Sequence, residues 1–218
     1  MGDGKTTTPP TAHEILYENR FLVFLLSIIL LLLAFPLADQ AGYGESVLKL
    51  PFTLVIFSGI HAMQRNRVIL VLGIIIGIPA ILARWIVSDL PFDSSELSVL
   101  IFSILFFSLL CLFILSSVLG EKRITRDTIF GAIGIYLCLG ITWALSYQFV
   151  DMLIPGALSN VQNATAYVYF SFITLATLGY GDITPLIPVT ESMAMFEAVI
   201  GQLYIAVLIA RLVSSLTR

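Results

Sequence analysis

Thr177, Leu178, Gly179, Tyr180, Gly181 and Asp182 lie between a short apolar run and a long one, and the chemistry they offer is that of the main chain. An ion entering a medium of low dielectric loses hydration worth tens of kcal/mol, so a route through it must replace the water oxygens. Backbone carbonyls can do that without carrying a full charge. For consecutive carbonyls to face one side, alternate residues must take left-handed or otherwise unusual angles, which glycine accepts without steric cost. Gly179 and Gly181 supply such positions two apart. Thr177 to Gly181 in extended form covers roughly 12 Å, room for several stacked oxygen layers. The Thr177 hydroxyl is placed to add the innermost layer. Tyr180 is expected to turn away from that axis into Tyr167, Tyr169, Phe170 and Phe172, an aromatic collar that would hold the segment's diameter. Alone, Gly-Tyr-Gly-Asp reads as a surface turn; its flanking segments point elsewhere.

Those segments belong to a membrane. Of 218 residues, 58% are hydrophobic and 11% charged, where an average soluble chain has about 45–50% and about 25%. So few charges cannot cover a soluble core of this size. A net charge of -3 gives no reason to expect a nucleic acid partner. Cys111 and Cys138 fall in apolar runs without metal-ligand spacing and read as two small buried side chains. His13 and His61 have no catalytic partners, and neither H-E-x-x-H nor G-x-S-x-G occurs, so no enzyme and no cofactor is expected.

A hydrocarbon core of about 30 Å takes roughly 20 apolar residues per helix. Six candidate spans meet or approach that length: Phe21 to Ala38, Leu50 to Gln64, Val68 to Ala83, Leu97 to Gly120, Thr128 to Val150 and Ser192 to Ala210. Lys49 and Arg84 extend the second and third by snorkelling. Gly73 and Gly77 form a small-xxx-small pair suited to a close helix contact. Ala164 to Thr177 is apolar for only 14 residues, too short to cross, and reads as a re-entrant segment. With the N-terminus inside, Lys5, Arg20, Arg65, Arg67, Lys122, Arg123, Arg126, Arg211 and Arg218 are all cytoplasmic. Asp39, Glu45, Asp89, Asp93, Glu96, Asp151 and Asp182 are then outside, with both termini in. Residues 1 to 12 read as a disordered arm. Asn163-Ala164-Thr165 is an outward-facing sequon.

The order short apolar helix, T-x-G-Y-G-D, long apolar helix resembles the potassium channel family, in which this motif is the selectivity filter between a pore helix and an inner helix. The resemblance is strong from about Thr128 onward; the first four spans match in number and orientation only. It implies an all-α membrane protein of six transmembrane helices with a re-entrant pore helix and selectivity filter, assembled as a tetramer in the cell membrane. It further implies a cytoplasmic arm at 1–20, a four-helix domain at 21–120, a linker at 121–127 and a pore domain at 128–218. Within the last lie an outer helix 128–150, a pore helix 164–177, a filter 177–182 and an inner helix 191–215. Potassium would be the permeant ligand, held through Thr177, Leu178, Gly179 and Tyr180, with Gly181 closing the filter. Membrane lipid, monovalent cations and three further copies of the chain are the implied partners.

Asp182, Tyr169, Phe170, Thr174 and Glu197 are expected to support the filter. Glu197 is the acid deep in a span, which invites a functional reading: either hydrogen bonding behind the filter to Thr174 or Ser171, or proton sensing. Gly201 lies where the family's inner helix has its hinge glycine and reads equally as a hinge or as a close-packing residue. Gln202, Ile205 and Ile209 recur at helical spacing and are expected to face the cavity or gate, the two isoleucines closing it by dewetting. Four residues before Thr177, where some family members keep a carboxylate, stands Ile173. Leu178 replaces the commoner valine.

Leu97 to Gly120 carries no charge. A unit charge crossing 100 mV is worth about 2.3 kcal/mol, so this span supplies no gating charge and weak or absent voltage dependence is expected. The short link from Glu121 to Asp127 suggests that each four-helix domain packs on its own pore domain. Seven residues follow Arg211, too few for a nucleotide- or calcium-binding domain, so the expectation is either intrinsic gating or a sequence that is a piece of a longer one. The alternatives are a channel passing both sodium and potassium, or a subunit of a potassium uptake transporter.

Overall fold

The computed structural model describes residues 19–40, 46–87, 93–121 and 124–216. Most of the expected N-terminal arm, with Lys5 and His13, lies outside them, as do Glu45, Asp89, Lys122, Arg123 and Arg218, and the side chains of Asp39 and Asp93. The described chain is helical: α1 Arg20–Gln40, α2 Ser46–Ala62, α3 Arg67–Leu82, α4 Asp93–Gly120, α5 Arg126–Leu153, α6 Ala164–Leu175 and α7 Pro188–Leu216. By length and composition, six of these are able to cross a membrane, α2 and α3 when continued by the short helical turns Met63–Arg65 and Ala83–Val87, whereas α6 is too short. The pairing Leu158–Pro185 is an isolated bridge.

Helix starts follow local chemistry. The Asn66 side chain accepts from the Val68 and Ile69 amides at the head of α3, and Asn163 accepts from Ala166 at the head of α6, in each case relieving amides that no helical carbonyl can reach. Thr125 and Thr128 cap α5 reciprocally.

The first four helices enclose a core built on edge-to-face aromatic pairs, Phe35–Phe52, Phe52–Phe107 and Phe106–Phe107, with centroids 6.0–6.1 Å apart. Gly77 admits Ile56 and Phe106, and Gly73 admits Met63, as a small-xxx-small pair should. Arg84 does not snorkel outward as expected. It is 8% exposed, and its guanidinium lies 3.7 Å from the centre of the Phe52 ring, so cation–π attraction and burial of the stem hold it inside the bundle.

This bundle packs on the chain's own α5. Phe21 and Phe24 fill the notches left by Gly131 and Gly134, and the Cys138 thiol points at the Phe107 carbonyl. Cys111 and Cys138 are both free and buried. At the end of the bundle near the α4–α5 link, Glu121 meets Arg65 at 3.5 Å and Arg20 at 3.9 Å, and accepts from Thr128. Asp127 accepts from the Phe21 amide, and Arg211 of α7 donates to the Glu121 main-chain carbonyl at 2.6 Å.

Candidate functional site

Helix α6 ends at Leu175, two residues before the expected limit, because Thr177 leaves the right-handed region at φ +56°. Gly179 follows at +58° and Gly181 at +79°, whereas Leu178 and Tyr180 keep negative φ. Left-handed angles thus fall on alternate residues, the pattern that turns successive carbonyls to one side. Sequence reasoning found the two glycines and missed Thr177. A β-branched residue in this region is strained by roughly 1–3 kcal/mol and needs external restraint. The restraint comes partly from α6: the Thr177 amide donates to the Thr174 carbonyl at 2.9 Å and that of Leu178 to Ile173 at 2.8 Å.

The segment is braced on its far side. The Tyr169 hydroxyl donates to Asp182 at 2.7 Å, and this bond holds the Asp182 carboxyl below its ordinary range. Asn160 donates to the Asp182 carbonyl, while Ser159 and Thr184 exchange hydrogen bonds. Asp151, which the sequence marked only as an outer charge, accepts from the Ala157 amide and from the Tyr167 hydroxyl.

Within one chain three of the four rings expected around Tyr180 turn elsewhere, while Tyr169, bonded to Asp182, stays beside the segment. Tyr167 is committed to Asp151, Phe170 stands edge-on to Tyr147 at 4.9 Å, and the Phe172 ring lies against Gly140. Tyr180 remains 67% exposed. Phe170, on α6, therefore packs against α5 together with Leu158 and Ile183.

Glu197 is fully buried on α7. Its carboxyl oxygens meet the Ser171 hydroxyl at 2.5 Å and the Tyr147 hydroxyl at 2.8 Å. Ser171 was one of the two expected partners. Thr174 was the other, and it acts instead through its carbonyl, which accepts from the Thr177 amide. The Tyr147 contact escaped sequence reasoning, although a tyrosine in an apolar span needs a partner for its hydroxyl. Ser171 also reaches the Gly140 carbonyl at 2.7 Å. A hydroxyl has one proton, so both Ser171 contacts are hydrogen bonds at once only when Glu197 supplies the other. The acid thus locks α5, α6 and α7 together behind the 177–182 segment.

Gly201 is where α7 crosses the end of α6. A methyl group there would run into the Leu175 carbonyl oxygen. Close packing explains this glycine, and α7 continues unbroken through it. One residue on, the Gln202 side chain donates to the Thr177 hydroxyl at 3.1 Å. Ile205 and Ile209 continue along the same helix, 37% and 55% exposed.

Residues 132–218 match the family model described as ion channel. Over 85 residues the chain is 32% identical to the inward rectifier potassium channel Kirbac3.1 of Paramagnetospirillum magnetotacticum, a match spanning 39% of this chain and 28% of the relative's length. No solved structure matches the chain. The resemblance to the potassium channel family therefore stands, carried by the C-terminal part of the chain.

Proposed function

We propose that four copies of this chain form a potassium-selective channel that conducts passively across a cell membrane, with Thr177 to Gly181 as its filter. The observation that carries this reading is the alternation of left-handed angles at Thr177, Gly179 and Gly181 directly after the short helix α6. Carbonyls of four such strands would replace the hydration shell of a bare ion. Helix α6 would aim its partly negative C-terminal end toward the same axis and favour a cation below the filter. In this arrangement α1–α5 and α7 cross the membrane with both termini cytoplasmic, Ile205 and Ile209 line the gate, and Glu197 supports the filter from behind. The exposed Tyr180 ring would be covered by a neighbouring copy.

The test is the reversal potential of the purified protein in planar bilayers with asymmetric potassium and sodium. A value close to the potassium equilibrium potential is expected. A value indifferent to exchanging the two ions would give a non-selective cation channel, and transport without unitary currents would give a transporter subunit.

A further inference from the structure

Thr177 carries the strained φ of +56°, and its backbone bonds to α6 do not orient its side chain. The group that reaches its hydroxyl is the Gln202 carboxamide, with Nε2 at 3.1 Å. This contact depends on Gly201, since only a residue without Cβ lets α7 approach the Leu175 carbonyl closely enough for the next side chain to span the gap. Both Thr177 and Gln202 lie on exposed surface of the single chain, on the side where Ile205 also lies open.

The chemistry of the pair is directional. A carboxamide nitrogen can only donate, so Thr177 Oγ1 is the acceptor and one of its two lone pairs is taken. The rotor is thereby fixed, and the second lone pair stays free for another ligand. A hydroxyl fixed in this way binds a cation without first losing rotational freedom, which is the usual gain from preorganisation. An apolar residue at 202 would leave the rotor free.

From this geometry we propose that Gln202 is a positioning residue for the innermost ion site: it holds the Thr177 hydroxyl so that its oxygen faces a dehydrated cation at the inner end of the 177–181 segment. The proposal rests on the reading of that segment as a filter and adds to it a determinant of ion affinity on a different helix.

Barium, a divalent cation close to potassium in size, is the probe. Its binding is measured by calorimetry on the purified full-length protein in detergent, and by block of current from the cytoplasmic side. Calorimetry still reports on variants that assemble but do not conduct. Q202L is expected to weaken barium binding about tenfold. The same loss is expected in a T177S background, which keeps the hydroxyl, and none in T177C, which lacks it, so the coupling appears as a double-mutant cycle. If Q202L does not assemble, Q202M removes the donor from an unbranched side chain of similar length. An unchanged barium affinity, or an equal loss in T177C, overturns the proposal. A merely structural contact would lower the melting temperature and leave barium affinity alone. A wild-type protein that is potassium-selective and barium-sensitive but indifferent to residue 202 refutes this inference only, whereas one without selective current refutes the filter reading as well.

Discussion

Helices α4 and α7 are of nearly equal length and both are apolar, yet half of the most apolar 18-residue window of α4 is buried within the chain and only 11% of that of α7. The first is uncharged from Leu97 to Gly120 and finds its neighbours inside one bundle. The second carries a buried acid, a glycine pressed against a carbonyl and an amide directed at a strained threonine, all toward its N-terminal half. Under the proposed channel reading, a helix that leaves so much apolar surface open while directing its polar groups at one short segment would be completed by other copies. Lipid and the chain's own helices suffice for α4.

The sharpest way to break this contrast is to add a methyl group in the 177–182 segment and to cut back a side chain on α4. Gly179→Ala or Gly181→Ala forces a left-handed angle on a residue that resists it, at about 1–2 kcal/mol per copy. Conductance in bilayers is expected to fall by on the order of 100-fold when four copies carry the change. Leu105→Ala on the exposed face of α4 should leave conductance unchanged; an equal fall in both would end the distinction.

The next effect concerns Glu197. E197A leaves the buried Tyr147 hydroxyl without its acceptor, a penalty of about 1–3 kcal/mol, visible as a lower Tm in detergent. E197Q keeps the shape, one acceptor for Tyr147 and one donor for Ser171, and should retain most of the stability.

Within the bundle, R84M removes the guanidinium from the Phe52 ring and should cost about 1–2 kcal/mol, again read as Tm. The conductance–voltage relation should stay as shallow in R84M as in wild type, because α4 contributes no charge between Leu97 and Gly120. A steep wild-type curve, in bilayers free of blocking ions, would overturn the uncharged-helix argument.

The smallest expected effect is that of external pH. The Asp182 carboxyl, held low first by the Tyr169 hydroxyl, gains its stabilisation in full above the ordinary aspartate pKa. It loses that stabilisation only as pH falls through the depressed value. Conductance should therefore be flat from neutral pH down through the usual carboxylate range and decline below it. D182N, which removes the charge, should abolish that decline.

Much of this arrangement was legible in the residues themselves. Uninterrupted apolar runs located the helices within a few residues, and the spacing of Gly179 and Gly181 located two of the three left-handed positions. Thr177 was not found because left-handed angles are argued from glycine, although its place two residues before Gly179 carried the signal. The collar failed for a different reason: Tyr167, Phe170 and Phe172 are aromatic in any reading, but which of them faces Asp151, Tyr147 or Gly140 depends on how α6 is rotated against α5. Arg84 was misplaced because a long basic side chain near a span end ordinarily reaches for water, and nothing local announces the ring of Phe52, 32 positions away. The Glu197–Tyr147 bond spans 50 positions, and with many hydroxyls in apolar spans the sequence offers no ground for choosing among them.

The bond from Arg211 to Glu121 has a genetic consequence. Its acceptor is a peptide oxygen, present whatever amino acid occupies position 121, so a substitution there would leave this bond intact and be felt only through the side-chain contacts to Arg65, Arg20 and Thr128, while a change at 211 that removes the guanidinium would remove the donor. Screens that score positions one at a time would credit the arginine alone for a two-sided joint.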